Sequence, residues 1–330
     1  MSNPRLSLAV TSGDIVLPDD GQIALIRPRA DLSMDGLPLD RLHVVQGFLP
    51  DYEAFKARGL SVDVTLTGRY VACVVHVPRA KAEARALIAA ACAATDGLVI
   101  VDGQKTDGID SLLRDLRKRG DVGLVFSKAH GKLIALQGGD FSDWADRGAQ
   151  TVADGFVTRL GVFSADGPDK GSAALVAALP PLKGAVADLG AGWGYLSRAI
   201  LNSPSVNSLH LVEAEHAALE CARENIHDPR AAFHWADATR WTPPVKLDAV
   251  VTNPPFHTAR AADPALGRAF LASAAGMLAP AGQLWLVANR HLPYEKALTG
   301  LFREVEEMAG DRSFKILRAM RPLGQMKGTR

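Results

Sequence analysis

The chain has 330 residues, of which 48% are hydrophobic and 22% are charged, and its 37 basic residues nearly balance its 36 acidic ones. Disordered chains combine low hydrophobicity with high net charge, so a net charge of +1 and a mean hydropathy of +0.05 predict packed cores. Near-zero net charge also excludes the simplest signal of a nucleic-acid-binding chain, a strongly basic composition. Any RNA or DNA partner must therefore be held by local patches.

The length predicts two domains, which we place at residues 1–150 and 151–330. Cys73, Cys92 and Cys221 form no CxxC pair, which favours reduced thiols over a disulfide framework or a zinc site, so we expect no bound metal. We find no apolar run long enough for a membrane helix and no export signal. The sequence thus predicts a cytoplasmic protein with no membrane partner.

In the first half, strand-forming residues alternate over 61–77 around a Thr-Gly-Arg turn, which predicts a hairpin or a bent strand. The following residues predict a helix over 80–94, a strand over 97–101, a helix over 107–119 and a strand over 123–126. This alternation predicts a mostly parallel sheet with helical crossovers. No glycine-rich loop follows these strands, so the first half shows no obvious cofactor site.

Residues 138–182 are predicted as a linker with a short entry helix over 173–179, and from residue 184 the alternation resumes more strongly. It predicts strands over 185–189, 208–213, 231–235, 247–252 and 283–288, with helices from Trp193, His216, Ala262 and Tyr294. The end differs, because residues 305–308 and 313–320 flank a turn and predict an antiparallel hairpin that closes the sheet.

A glycine loop follows the first strand of the second half. Asp188 stands two residues before the first of three glycines, Gly190, Gly192 and Gly194. Glycine at a strand-to-helix turn allows positive φ and close approach of the backbone to a ligand. The spacing G-x-G-x-G differs from the dinucleotide fingerprint G-x-G-x-x-G, and with its preceding acid it resembles motif I of the class I S-adenosylmethionine methyltransferases.

Acidic residues also follow the next two strands. Glu213 ends the second strand, where an acidic residue of this fold accepts hydrogen bonds from ribose hydroxyls. Asp237, with Ala238 beside it, follows the third strand, where members of the class bind the adenine amino group. One exposed acid carries little information, but the occurrence of acids at three successive strand ends is informative. The predicted cofactor-binding residues are Asp188, Gly190, Gly192, Gly194, Glu213, Asp237 and Ala238.

The most specific signal is the tetrapeptide Asn253-Pro254-Pro255-Phe256, which follows the fourth strand. In the strand order 3-2-1-4-5-7-6 of these methyltransferases the first and fourth strands are neighbours, so we expect this loop and the glycine loop to face one crevice. The Asn253 oxygen and the Pro254 carbonyl would accept hydrogen bonds from an exocyclic amine, and Phe256 would stack on a flipped base. We predict Asn253, Pro254 and Phe256 as catalytic residues.

Four segments together resemble one family, the ribosomal RNA guanine-N2 methyltransferases of the small-subunit methyltransferase C type and their large-subunit relatives. These segments are residues 161–172, 188–196, 253–257 and 287–295. The resemblance covers residues 160–330 and extends more faintly to 76–81 and 103–109, where Arg79 replaces a lysine of the family.

This resemblance implies an α/β fold of two Rossmann-like methyltransferase domains. The C-terminal domain would bind S-adenosylmethionine and catalyse the reaction, and the N-terminal one would be a degenerate copy for RNA recruitment or structural support. The implied activity is methylation of the N2 amine of a guanosine, most simply in 16S rRNA, with ribosomal RNA or the small ribosomal subunit as partner. The resemblance also implies that the segment with Phe163, Asp169 and Ser172 closes over the cofactor; for Phe163 the alternative is packing in the apolar core.

Basic residues suggest further contacts. Arg260, Arg290 and His291 follow strand ends on the ligand side and are candidate phosphate or base contacts. The segment 312–330 contains six basic residues and no acid, a stripe that would either neutralise phosphates or form a solvated strand face.

Other interpretations stay open at this point. Asn-Pro-Pro with an aromatic residue also serves methylation of guanine N2 in 23S rRNA, of adenine N6 and of protein glutamine, although phenylalanine favours guanine. A dehydrogenase is disfavoured by the glycine spacing and the terminal hairpin. A non-catalytic RNA-binding assembly factor is disfavoured by the intact Asp188, Glu213 and Asn253. The residues predict no oligomeric state.

Overall fold

The computed structural model describes residues 4–255, 257–258, 261–262 and 264–323, and for residues 257, 258, 261, 262 and 264 it describes only the backbone. The chain divides into two compact units, Met1–Gly148 and Ala149–Arg330, where the sequence predicts a boundary after residue 150. Each unit contains a seven-stranded sheet. Within the described part of the chain, every helix is too short or too polar to span a bilayer.

The first unit has the strand order β3-β2-β1-β4-β5-β7-β6, in which β1 to β5 run parallel and β7 runs antiparallel to both of its neighbours. Its elements are α1 Arg5–Thr11, β1 Ile23–Ile26, β2 Leu42–Val45, α2 Leu49–Ala57, β3 Ser61–Asp63, β4 Ala72–His76, α3 Lys81–Ala94, β5 Leu98–Gln104, α4 Ile109–Leu116, β6 Gly120–Lys128 and β7 Gly131–Gly139.

The prediction of a hairpin or bent strand over residues 61–77 is wrong. This stretch contains two strands that are not neighbours, because β3 pairs with β2 at the sheet edge while β4 pairs with β1 and β5 in the centre. Burial separates the two, since β3 is largely exposed and every residue of β4 is buried. A parallel central strand covered on both faces needs an apolar run, which β4 provides and β3 does not.

The second unit has the order β12-β11-β10-β13-β16-β18-β17, and two short ribbons, β8-β9 and β14-β15, lie outside this sheet. Its elements are β8 Gln150–Thr151, β9 Val157–Thr158, α5 Lys170–Ala178, β10 Gly184–Leu189, α6 Tyr195–Leu201, β11 Val206–Glu213, α7 His216–Asn225, β12 Ala231–Trp235, β13 Leu247–Thr252, β14 His257–Thr258, β15 Ala261–Ala262, α8 Pro264–Met277, β16 Leu278–Asn289, α9 Tyr294–Thr299, β17 Phe302–Gly310 and β18 Phe314–Pro322.

Numbered within this sheet, the order is 3-2-1-4-5-7-6, which confirms the predicted methyltransferase architecture. The predicted terminal hairpin is also confirmed, because β18 pairs antiparallel with both β16 and β17. The first unit repeats the same order, so the predicted pair of Rossmann-like domains is present in the chain.

The central strands of the second sheet are buried on both faces. Along β10, Val186 packs in one apolar cluster with Leu196 and Leu209, while its neighbour Ala187 packs in another with Leu271. Successive side chains of a strand point to opposite faces, so helices cover both sides of the sheet. Burial of each large aliphatic side chain contributes about 1.5–3 kcal/mol, and this packing fixes the positions at which β10 and β13 end.

Candidate active site

The glycine loop and the Asn-Pro-Pro loop leave neighbouring ends of the second sheet. β10 and β13 are parallel neighbours in register, with Leu189 opposite Thr252. The buried Thr252 hydroxyl also donates a 2.7 Å hydrogen bond to the carbonyl oxygen of Leu189, which ties the two strand ends together. Groups on the two loops therefore meet at the carboxyl edge of the sheet, where ligands bind in open α/β folds.

The glycine loop has a backbone shape that suits glycine. Gly190, Gly192 and Gly194 have φ values of +73°, +56° and +91°, all in the left-handed region. A β-carbon at Gly194 would lie 2.8 Å from the δ-carbon of Ile226, whereas one at Gly192 would meet no atom within 4 Å. Gly194 is thus favoured by its left-handed backbone and by close packing against Ile226 at the end of α7, and Gly192 faces open space that a ligand can fill.

Glu213 holds the glycine loop in place from the end of β11. One carboxylate oxygen accepts a 2.8 Å hydrogen bond from the N–H of Gly192, and the other accepts a 2.7 Å bond from the N–H of Glu215. Burial raises the pKa of Glu213, while these backbone donors act in the opposite direction. Each oxygen keeps a further lone pair, so the carboxylate can also accept hydrogen bonds from hydroxyl groups of a ligand.

Asp188 is a fully buried carboxyl group at the end of β10. Its Oδ2 accepts a 2.7 Å hydrogen bond from the Ser197 hydroxyl, and its buried Oδ1 has no hydrogen-bond partner among the described residues. Burial raises its pKa to about 7, and the nearby Glu213 charge adds to this effect while Ser197 opposes it. An unpaired buried oxygen costs free energy, so this position suits a cationic donor from a ligand.

Asp237 and Ala238 lie in the turn after β12. The Asp237 Oδ1 accepts hydrogen bonds from the backbone N–H and the hydroxyl of Thr239, at 2.8 and 2.7 Å. Ala238 is buried, and its carbonyl oxygen accepts a 2.8 Å bond from the Ser273 hydroxyl of α8. These bonds fix the turn at the third strand end, beside the ends of β10 and β11.

Asn253 is oriented by groups at the start of α5. Its side-chain Nδ2 donates to Asp169 Oδ2 at 3.0 Å and to Ser172 Oγ at 2.9 Å. The same Asp169 oxygen caps α5 by accepting a 2.9 Å bond from the N–H of Ser172. Because the amide nitrogen faces these oxygens, the amide oxygen of Asn253 faces away from them. Pro254, next in the chain, is buried.

Sequence reasoning missed the contact between Asp169 and Asn253. The local pattern Asp-Lys-Gly-Ser before an apolar run is a helix N-terminus signal that predicts a capping role for Asp169. The second bond joins residues 84 positions apart, and no local pattern contains such a contact.

An aromatic residue connects the glycine loop to the segment that precedes α5. Trp193 is buried, and its indole N–H donates a 2.9 Å bond to the carbonyl oxygen of Phe163. The Asn225 side chain binds the Trp193 carbonyl at 2.8 Å and both backbone groups of Val157, at 2.7 and 2.9 Å. Residues 157–163 are therefore attached to the loop. The Phe163 ring is 66% exposed, which excludes core packing as its role.

Several predicted contacts are engaged elsewhere or lie outside the described residues. Phe256 and Arg260 are among the residues that the structure does not describe. Arg290 pairs with Glu307 at 2.8 Å and donates to the Asp311 carbonyl, so its guanidinium stabilises the terminal hairpin.

Three of the four described basic residues of segment 312–330 are also engaged in ion pairs. Lys315, Arg318 and Arg321 on β18 pair with Glu295, Glu306 and Glu304, at 2.6, 2.7 and 2.8 Å. Segment 312–330 contains no acid, but the neighbouring strand β17 and helix α9 provide the acidic partners. These three cations are consequently committed to ion pairs within the unit, and Lys327 and Arg330 lie outside the described residues.

The strand order and the two loops define the class I methyltransferase fold. Residues 154–318, half of the chain, match the family described as "Methyltransferase small domain", and the chain belongs to that family. This match confirms the predicted enzyme class.

Relatives with assigned names agree with the family. The chain is 28% identical over 298 residues to "Ribosomal RNA small subunit methyltransferase C" of Shewanella sp. strain MR-4, covering 86% of each protein. It is 36% identical over 171 residues to "Ribosomal RNA large subunit methyltransferase G" of Streptomyces avermitilis, covering 50% of this chain and 45% of that protein. These names confirm the resemblance found in the sequence.

A solved structure shares the complete two-unit fold. The T. thermophilus 16S rRNA N2 G1207 methyltransferase, in complex with AdoMet and guanosine, superimposes with a TM-score of 0.78 at 24% identity. The match covers 97% of this chain and 92% of that chain, and thus includes both units.

Proposed function

We propose that this protein transfers the methyl group of S-adenosylmethionine to the exocyclic N2 amine of a guanosine in small-subunit ribosomal RNA. One observation carries the proposal: the register of β10 and β13 brings the glycine loop and the oriented Asn253 to the same edge of the sheet. The name of the Shewanella relative, which matches over 86% of both chains, supports the ribosomal RNA of the small subunit as substrate.

The residues present fit S-adenosylmethionine. The unpaired Oδ1 of Asp188 would accept a hydrogen bond from the methionine ammonium group, and the open space at Gly192 leaves room for the ligand. Glu213 has lone pairs left for the ribose hydroxyls, and Asp237 and Ala238 line the next strand end, where the adenine would lie. A cationic amine and several hydroxyls are the groups this set of acceptors would bind.

The chain's own residues would prepare the amine. When bound, the cofactor supplies a methyl group that the nitrogen lone pair displaces from sulfur, and the proton lost by the nitrogen passes to water. Asn253 Oδ1 and the Pro254 carbonyl accept hydrogen bonds from the two N–H groups of the amine. These bonds draw the lone pair out of conjugation with the ring and turn it toward the methyl group. Phe256 would stack on the base.

The first unit is proposed to recruit RNA or to support the catalytic unit, and the catalytic machinery is proposed to lie within residues 151–330. The strongest competing substrate is the large-subunit RNA, because the Streptomyces relative is more identical over half of the chain. The small-subunit relative matches through both units, which favours the small subunit. An enzyme of ribosomal RNA works where ribosomes are made, so the proposal keeps the cytoplasmic location expected from the sequence.

The test uses ribosomal RNA from cells that lack this protein. Purified 16S and 23S rRNA, and intact 30S subunits, are incubated with the protein and radiolabelled S-adenosylmethionine, and modified nucleosides are identified by mass spectrometry. We expect N2-methylguanosine at one position of 16S rRNA. Label in 23S rRNA would move the assignment to the large subunit, and N6-methyladenosine or labelled protein would replace guanine as the target. Binding without transfer to any substrate would favour the assembly-factor alternative.

A further inference from the structure

We propose that Asp169 is a positioning residue that fixes which end of the Asn253 amide faces the substrate amine. This inference rests on the proposed function and deepens it. The two ends of an asparagine amide have almost the same shape but opposite hydrogen-bonding character, because NH₂ donates and the oxygen accepts. An amine with two N–H groups needs the amide oxygen as an acceptor. A rotated amide would bring its own NH₂ donors against the N–H donors of the amine.

The contacts around Asn253 allow one orientation. A carboxylate accepts hydrogen bonds and cannot donate them, so Asp169 Oδ2, 3.0 Å from Asn253, pairs only with the NH₂ end. The Ser172 hydroxyl, at 2.9 Å, accepts from the same nitrogen, but a hydroxyl can also donate and therefore tolerates both orientations. The carboxylate is thus the group that discriminates between the two ends of the amide.

Asp169 is itself held in place. It is the N-cap of α5, and the N–H of Ser172 donates to the same Oδ2 at 2.9 Å. The following Gly171 leaves space for the carboxylate, because a β-carbon there would lie 3.0 Å from Oδ2. α5 in turn packs on the sheet through the fully buried Leu175. The orientation of Asn253 is consequently fixed by a packed helix start rather than by a free side chain.

The experiment begins with Asp169→Ser. Serine is as good an N-cap as aspartate, so the fold should be kept, but its hydroxyl can accept from the N–H of Ser172 while donating its own proton, and it therefore no longer selects one end of Asn253. We expect kcat to fall about 10- to 100-fold, since misorientation at a reacting group has effects of this size, with the dissociation constant for S-adenosylmethionine and the melting temperature unchanged. Asp166→Ser, the same change at an exposed position of the same segment, is the matched control and should leave kcat unaltered.

A conservative variant separates orientation from charge. In Asp169→Asn, the N–H of Ser172 holds the amide oxygen at the position of Oδ2, so this position still accepts from the NH₂ end of Asn253 but carries no charge. We expect Asp169→Asn to recover at least about tenfold in kcat over Asp169→Ser. An Asp169→Asn protein no more active than Asp169→Ser would contradict the orientation argument.

A readout that needs no substrate completes the test. The side-chain NH₂ resonances of Asn253, assigned by their loss in Asn253→Ala, should show slow hydrogen exchange in the wild type and faster exchange in Asp169→Ser. Wild-type kcat in Asp169→Ser, or unchanged resonances, would overturn the positioning role. Failure of the wild-type protein to methylate any RNA would instead count against the proposed function, while the exchange measurement would still decide the orientation.

Discussion

The two sheets have the same strand order, but their carboxyl edges carry different chemistry. Ile26 pairs with Val45 in the first unit as Leu189 pairs with Val212 in the second, so the residues after each strand can be matched one by one. Arg27 then corresponds to Gly190. Both have positive φ, +56° and +73°, and both donate their N–H to the neighbouring strand at 2.8 Å. The turn is the same in both units, although the first has arginine where the second has glycine.

The side chains at matched positions show what the first unit lacks. Buried Leu25 stands where the second unit has Asp188. Gln46 stands in place of Glu213 and accepts from the N–H of Phe48 at 2.9 Å as Glu213 does from Glu215, but its amide also donates to the Pro28 carbonyl. The first edge therefore has no carboxylate at either position. The fold thus depends on packing, while a few side chains at the edge determine what it can bind.

At the position of Asn253 the first unit has His76, because Val75 pairs with Ile26 as Thr252 pairs with Leu189. His76 is buried and lies 3.3 Å from Asp102, whose other oxygen accepts a 2.6 Å bond from Arg5. Burial alone would raise the pKa of Asp102, but His76 and Arg5 outweigh it and the pKa is lowered. A buried ion-pair network occupies the place of the Asn-Pro-Pro loop.

The largest effect that tests this contrast is on turnover. Asn253→Ala removes the amide acceptor, and we expect kcat to fall about 10³- to 10⁴-fold while the affinity for S-adenosylmethionine changes less than about threefold. Single-turnover kinetics and calorimetry measure the two quantities. His76→Asn, at the matched position, should leave turnover intact. Loss of both turnover and cofactor binding in Asn253→Ala would mean that the residue shapes the fold instead.

Breaking the buried network of the first unit should affect stability. Arg5→Met leaves Asp102 buried without its guanidinium partner, and we expect the free energy of unfolding of this unit to fall by about 3–5 kcal/mol. Urea denaturation followed by circular dichroism measures the change. Arg29→Met, at an exposed position, is the control. An Arg5→Met protein as stable as the wild type would show that the network is not a stabilising element.

Cofactor titration should distinguish the two edges directly. We expect one S-adenosylmethionine site per chain, and Gly192→Val should weaken it about 100-fold or more, because the side chain would fill the open space of the loop and strain its positive φ. Arg29→Val, at the matched position of the first unit, should leave the affinity unchanged. Two S-adenosylmethionine sites per chain would show that the carboxyl edge of the first sheet also binds the cofactor, which would refute its loss of cofactor binding.

The smallest expected effect concerns how the free energy of unfolding depends on pH. Asp188 has a folded-state pKa of about 7, above an unfolded value of about 4, so the folded state holds the proton more tightly. Its contribution to stability is complete below pH 4 and is lost as the pH rises toward 7. Asp188→Asn removes this loss, and we expect the ligand-free variant to be more stable than the wild type at pH 8 and equal to it at pH 4. Parallel stability curves for the two proteins would contradict the assignment.

Much of the second unit could be predicted from its sequence. The strands over 231–235 and 247–252 have the predicted bounds, because short runs of strand-forming residues bounded by turn residues are clear signals. β1, β2 and β7 were not predicted: the first two are only four residues long, and β7 is antiparallel in a unit whose pattern indicates parallel strands. The roles of the predicted site residues remain predictions.

Contacts between distant residues set the limit of prediction. The ion pairs of Lys315, Arg318 and Arg321 depend on which strand lies beside β18, and the bond between Asp169 and Asn253 depends on where α5 begins. Both follow from tertiary packing, which local propensity does not encode.

Arg27 has a consequence for the history of the molecule. Its left-handed backbone is uncommon and unfavourable for a non-glycine residue, yet the turn persists because its N–H bonds to the neighbouring strand. The shape of this crossover is therefore maintained by the sheet, independently of any ligand. A duplicated domain can then lose its binding groups one substitution at a time without unfolding, which leaves one copy free to drift while selection acts on the other.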